Sequence, residues 1–309
     1  MTSLADPPLS TPETSLKLPS WATRSFASVA QDDAFAAGAA LAILDLATHD
    51  PALPAALWRD RLALKAACAC LKREGRRESA AEVRDAVCLT RTGDAPGPAG
   101  EMFARWRGLA RVKVTGPGAV ARLARLLPEG IETRLELDKE RGSPIFRAGK
   151  VFAETLRAAP RQETAALMRA EAVLAQGLRW EYPVPLLAAH LSRRQLRDIA
   201  AGEADPILAL HGALRQGAEH ALRLAGELTR RAARLRAVAP KLRAKASEAA
   251  VSLFLSQDAV APTGMLSPRV QGTAQAMSDR AARRLCDRLV GLGAVRELTG
   301  RDMFRLYGL

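Results

Sequence analysis

The stretch that decides the fold is the last one, MSDRAARRLCDRLVGLGAVRELTGRDMFRLYGL, residues Met277–Leu309. Ser278 is placed to cap a helix by accepting from its free first-turn amides. Ala281, Leu285, Leu289 and Leu292 recur at helical spacing and form one apolar face. Arg280, Arg283, Arg284 and Arg288 charge the rest of that helix. Gly291 and Gly293 can end it, because glycine tolerates the left-handed conformation a helix terminus often needs. Two short strand-like runs follow, Ala294–Leu298 and Met303–Tyr307, with Thr299–Asp302 as the tip between them. A helix running into a basic-tipped hairpin is the ending of a winged helix-turn-helix.

Upstream, Ala244–Gln257 reads as a first helix and Leu266–Ala276 as a short one, limited by Pro268 and Gly272. With Ser278–Leu292 and the hairpin this gives helix, short helix, helix, wing over residues 241–309. Pro240 separates that module from a helical body at 30–240. Residues 1–29, with prolines, Ser, Thr and acidic residues, read as a flexible arm whose end Trp21 and Phe26 anchor. The expected fold class is mainly α, a multi-helical body followed by a C-terminal winged helix-turn-helix.

Helices in the body are expected from near Asp32 to Asp50, then over Ala55–Glu74, Glu78–Leu89, Glu101–Arg111, Pro117–Leu127, Ala148–Ala158, Glu163–Gln176 and Pro206–Val238. Gly38, inside a small-residue stripe, suggests a close helix–helix approach. Val184–Leu191 follows a break at Tyr182–Pro185, and Asp198–Ala204 forms another boundary. Residues 131–160 are the least readable part: Ile131–Leu137 fits one more helix turn or a strand, and GSPIF (142–146) is expected to be a loop.

Composition agrees with a helical protein. The chain of 309 residues is 48% hydrophobic but only 4% aromatic, and is rich in the helix formers Ala, Leu and Arg. Its net charge is +13 and unevenly spread. From Arg230 onward there are 15 Lys or Arg against 6 Asp or Glu, so +9 of the excess lies in the tail. Such a field attracts polyanions by steering and counterion release.

The four cysteines, Cys68, Cys70, Cys88 and Cys286, form no CxxC pair and have no histidine beside them, so no zinc site is expected. Free thiols, with no signal peptide and no membrane span in the sequence, lead to the expectation of a cytoplasmic protein. No P-loop, dinucleotide-binding glycine set, GxSxG, HExxH or deaminase pattern occurs, and His49, His190, His211 and His220 are scattered. No cofactor, metal or catalytic residue is therefore expected.

Three readings of function remain. In the first the protein binds double-stranded DNA, with the helix from Ser278 entering the major groove. Arginine can take guanine in bidentate fashion and also suits phosphate. The residues expected to contact DNA are Ser278, Asp279, Arg280, Arg283, Arg284, Arg288, Arg296, Thr299, Gly300, Arg301 and Arg305. Arg301 at the wing tip would touch the backbone or minor groove, and a homodimer would suit a symmetric site. In the second, the winged tail of a helical scaffold contacts an unknown protein partner, and the arginines form a solvated face. In the third, the body senses a ligand or has an activity. Arg84, Asp85, Arg91 and Asp94 would line its pocket beside the Gly- and Pro-rich turn at Gly93–Pro98, where Lys65, Glu82 and Glu101 could join them. The same residues would equally make a salt-bridged helix corner.

Two resemblances add to these readings. The segments DAFAAGAALAILD (33–45), RLALKAACAC (61–70), GRRESAAEVRDAVCLTRTGDAPGPAGEMFARWRGLA (75–110) and WEYPVPLLAAHL (180–191) resemble a bacterial family of unknown function, numbered 1403, over nearly the full length. That family is seen mostly in plasmid-rich alphaproteobacteria. It has no assigned activity, so the resemblance carries no catalytic residue with it; a regulatory role in plasmid or mobile-element biology is the expectation attached to the DNA-binding reading. The tail also resembles the winged helix that follows many AMP-transferring Fic domains, which implies the tail fold and a wing role for Thr299, Gly300 and Arg301. The HPFxxGNGR-type loop of those enzymes is absent, so AMP transfer is not implied.

Overall fold

A computed structural model describes residues 16–23, 30–90, 93–128, 131, 142–242, 246–301 and 303–309. Among these the protein is mainly α-helical with one small antiparallel hairpin near its C-terminus. The helices are α1 (Ser20–Thr23), α2 (Ala30–Thr48), α3 (Ala55–Arg73), α4 (Ala80–Cys88), α5 (Gly97–Arg111), α6 (Ala119–Ala124), α7 (Pro144–Ala158), α8 (Glu163–Gly177), α9 (Arg193–Ala201), α10 (Pro206–Val238), α11 (Ser247–Ser256) and α12 (Asp279–Gly291). The strands are β1 (Arg296–Glu297) and β2 (Tyr307–Gly308).

Most helices start and stop where local chemistry dictates. Ser79 and Glu82 form a reciprocal capping box on α4, and Ser192 with Gln195 does the same on α9. Ser143 caps α7 and Asp205 caps α10, each followed by a proline in the first turn, where its missing N–H costs nothing. Helix α7 thus begins at Pro144, within the GSPIF stretch expected to be a loop, and residues 132–137 lie outside the described residues. Helix α9 occupies part of what reads in the sequence as a boundary. Its S-x-x-Q signature is the local cue, but a nine-residue, largely polar helix has too short an apolar period to stand out.

The body packs α7 on α8, α10 on α2 and α7, and α3 on α5. Helix α8 is buried nearly all round, and the long α10 buries one face against α2 and α7 and exposes the other. Gly217 on α10 permits a close approach: a Cβ there would lie 2.6 Å from the Leu186 carbonyl oxygen. Gly38 does not play that part, since it is exposed with open space where its side chain would be. Trp21 stacks on Phe35 with ring centroids 5.3 Å apart. Phe26 and most of the arm lie outside the described residues.

The principal core is one continuous cluster that begins on α2 and α3 and runs through α11 and α12 to Val295, Tyr307 and Leu309. Residues 241–309 thus share buried apolar surface with the body. Within the tail, no helix forms over 266–276. Pro268 lacks a backbone donor and pushes its predecessor toward extended geometry. Gly272 is left-handed at φ +78, and Arg269 pairs across a short turn with Ala276. Helix α12 ends as expected, with Gly293 left-handed at φ +63. The hairpin is shorter than its sequence suggests, pairing Arg296 with Gly308 and Glu297 with Tyr307. Tyr307 also exchanges two backbone bonds with Val260, of 2.8 and 2.9 Å, so the last strand lies between two partners. Phe304, within the run Met303–Tyr307 that reads as a strand, is 69% exposed.

Glu171 on α8 is fully buried. Its Oε1 accepts from the Leu186 and Leu187 amides at 2.6 Å each, holding the 184–188 segment against α8. Burial pushes its carboxyl up to about 8, against those two bonds. A raised carboxyl contributes stability that is full below its ordinary value near 4.5 and is lost as pH rises through about 8. Thermal stability should therefore fall between pH 5 and 9, by a few kcal/mol from this group. Glu171→Gln keeps the acceptor and removes the charge. It should flatten that dependence and melt higher than the parent at pH 9, as followed by circular dichroism.

Candidate functional site

The tail is fastened to the body by buried ions. Asp258, in the loop after α11, is 4% exposed and sits between Arg61 of α3 and Arg84 of α4. Arg84 Nε donates to Asp258 Oδ2 at 2.6 Å. Arg61 pairs with Oδ1 and donates through Nη2 to the Leu309 carbonyl oxygen at 2.9 Å. Burial holds the Arg61 guanidinium below its usual range, with Asp258 opposing. A Cβ on Gly308 would lie 2.7 Å from the Asp258 carbonyl oxygen, so glycine lets the last strand close on this loop. Nearby, Arg111 of α5 is held by the fully buried Asp60, with Nε 2.9 Å from Oδ1, and reaches Gln257 at 3.0 Å. Arg301 then bonds Asp85 at 2.9 Å from the hairpin tip.

Two of the four residues assigned to a body pocket, Arg84 and Asp85, are thus ion-paired with the tail. Asp94 is exposed, and Arg91 lies outside the described residues. Burial raises the Asp85 carboxyl, with Arg301 and Arg84 opposing. Sequence spacing alone gives no sign of these pairs, because Arg84 and Asp258 are 174 positions apart. The one local cue is a lone acid, Asp258, at the head of the apolar DAVAP run.

The residues assigned to DNA contact separate into two groups. Arg280, Arg284 and Arg288 project from the outer face of α12 and Arg283 from the side toward the body; all four are exposed, and among the described residues none has an ion pair. Arg280, Arg284 and Arg288, spaced four apart, line an open groove of about 890 Å³. Pro240, Lys241, Leu242 and Ser278 complete its wall, and no acidic side chain lines it. Ser278 caps α12 by accepting from the Ala281 amide at 3.3 Å, and Asp279 is exposed in the first turn. The hairpin residues are more engaged. Arg305 Nε donates to the Arg301 carbonyl at 3.0 Å, and its Nη1 lies 3.8 Å from Glu297. Thr299 Oγ1 accepts from the Leu306 amide at 3.3 Å. Gly300 turns the tip at φ +61. Arg296 is exposed, and its guanidinium is held below the ordinary range by partial burial and then by Arg231.

A third feature, not foreseen from the sequence, is a cavity of about 980 Å³ where the ends of α4 and α5 meet the 257–265 loop, α12 and residues 303–307. Cys88 lines it, and burial pushes its thiol up to about 11, so it is no ready nucleophile. Cys286, buried under α12, is pushed up to about 12 by burial. All four cysteines are free. Among the described residues no cluster of three or more His, Cys, Asp or Glu could hold a metal ion. No helix among them is long and apolar enough to cross a membrane.

Fold and site together define a mainly helical protein whose basic C-terminal helix is fastened to its body by buried ion pairs. The chain belongs to the family described as Protein of unknown function (DUF1403), whose model matches residues 7–309. No curated protein and no solved structure matches it. The likeness of its tail to Fic-associated wings remains a resemblance.

Removing Asp258 leaves two guanidinium groups buried without their acid. Asp258→Asn should cost roughly 3–5 kcal/mol of unfolding free energy in a urea titration. Arg301→Ala breaks a half-exposed pair and should cost no more than about 1 kcal/mol. Equal losses from the two would contradict the role assigned to Asp258.

Proposed function

We propose that this protein binds double-stranded DNA through the outer face of α12 and acts as a regulator in plasmid or mobile-element biology. One observation carries the reading: Arg280, Arg284 and Arg288 form a stripe with Lys241 along a groove that has no acid in its wall. A row of guanidinium groups without internal partners suits phosphates at successive positions, and each contact releases counterions. Arg283, on the neighbouring face, would read a base edge. The chain order also supports a winged module. A helix, the Val260 bridge, a connecting segment, a second helix and a hairpin returning to that bridge follow one another. Here the middle helix is replaced by the 262–276 turns. Residues 241–309 would then be a winged unit docked on the body, and a dimer would present two such helices to a symmetric site.

Arg301 and Thr299 take a different part from the one their positions first suggest. Arg301 is committed to Asp85, so the wing contributes less to DNA and more to holding α12 in place. A second reading, a scaffold whose tail contacts another protein, is favoured by Met303 and Phe304. They leave the hairpin tip 67% and 69% exposed.

An electrophoretic shift titration on random duplexes at low salt separates the two readings. Changing Arg280, Arg284 and Arg288 together to alanine should lower affinity more than tenfold. It should also make the salt dependence shallower by about 3 in log–log slope. Arg283→Ala should relax selectivity with a smaller loss of affinity. A parent protein that retards no duplex at low salt would end the DNA reading, whereas Phe304→Ala should leave DNA affinity unchanged.

A further inference from the structure

The cavity between body and tail is separate from the groove of Arg280, Arg284 and Arg288, and Asp258 and Arg111 of the ion clamp form part of its wall. Its volume of about 980 Å³ lies at the upper end of the range of small-molecule sites. One wall is apolar and comes from the body: Val87 and Leu89 at the end of α4, and Phe103 of α5. The facing wall carries Met265 and, at the rim, Phe304. Phe304 holds a left-handed backbone at φ +57, which a bulky side chain rarely adopts, with its ring directed into solvent. An exposed aromatic at the mouth of an apolar cavity is surface that an occupant could cover.

The polar groups are of one dominant sign. Asp258 is neutralised by Arg61 and Arg84, and Arg111 by Asp60. Arg107 is different. It lies half-buried against the Phe103 ring, 5.4 Å from the centroid, and has no ion pair among the described residues. A guanidinium on a cavity wall with no ion pair of its own among the described residues is a group that an incoming anion would satisfy. Arg283 adds a second positive charge at the edge, partly offset by Asp287 one turn on.

We propose that this cavity binds a small amphiphilic anion. Its hydrocarbon or aromatic part would lie between Phe103, Leu89 and Met265, and its carboxylate on Arg107. Because Arg283 and Asp287 belong to α12, the occupant would touch the helix that bears the arginine stripe. The site stands whether or not that helix binds DNA.

The test uses the full chain without nucleic acid. Anilinonaphthalene sulfonate serves as a fluorescent probe, decanoate as the competing carboxylate and decanol as its neutral counterpart. Decanoate should displace the probe from a saturable site, and decanol should do so at least about tenfold less well, since a charge-assisted bond is lost. Arg107→Leu should weaken decanoate by a similar factor. Thr263→Trp, at an exposed position on the cavity wall, fills the space without disturbing the core and should also weaken it. Arg194→Ala, on the exposed face of α9, should bind as the parent does. Failure of decanoate to displace the probe, equal displacement by decanol, or parent-like binding by Thr263→Trp would each overturn the proposal.

Discussion

The placement of the tail depends on one buried carboxylate. Asp258 has given up water, and a lone ionised acid in such surroundings would be strongly disfavoured. It is tolerated because Arg61 and Arg84 approach from two different helices, each pairing with one of its oxygens as an ion pair. The attraction is specific as well as strong, since the guanidinium groups come from α3 and α4 and the acid from the loop after α11. Arg61 also donates to the last backbone carbonyl, so one residue of α3 fixes both the 258 loop and the chain end.

That constraint governs what the tail can present. Val260 follows Asp258 by two positions and pairs with Tyr307, so the hairpin's second strand is placed by the same loop. Asp85, the neighbour of Arg84 on α4, takes Arg301 from the hairpin tip. The inner side of the tail is thereby committed to the body, with Leu285, Cys286 and Leu289 of α12 in the common core. What is left facing outward is the polar side of α12. The winged reading assigned Arg301 to nucleic acid by its position at a hairpin tip. Arg301 pairs with Asp85 of the body from that position, with its side chain still half-exposed.

Much of the helical fold is legible in the sequence, and the reasons are local. Pro206–Val238 and the start of Ala55–Arg73 are readable to the residue because a capping Asp, a first-turn proline or a preceding proline break marks them. The hairpin is legible from Gly293 and Gly300, which the backbone does place in the left-handed region. The segment 266–276 misled because its composition is helical on average while Pro268 and Gly272 govern its geometry. Gly38 misled because α10 packs on the side of α2 that carries Ala36, Ala40 and Leu44, and Gly38 lies on the exposed side. The site was less legible than the fold. Arg84 and Asp85 stand out as a charged pair, but their partners are a distant lone aspartate and an arginine assigned another role. Arg107 has no local signature, since it looks like any arginine on an amphipathic helix until Phe103 and the tail enclose it.

The charges themselves separate by environment rather than by type. Arg61, Arg84 and Arg111 each face a buried acid, and their energy is spent within the fold. Arg280, Arg284 and Arg288 are placed on one side of α12, where Lys241 is the other charged residue among those described along the groove. Like charges four residues apart on a helix repel, so the stripe slightly destabilises the helix that carries it. Asp279 in the first turn and the Ser278 cap offset part of that cost. A row of repelling arginines kept on a helix that is firmly held from behind is the arrangement in which an external polyanion gains most. The repulsion is relieved on binding, and the clamp on the inner face has already removed the entropy of positioning the helix.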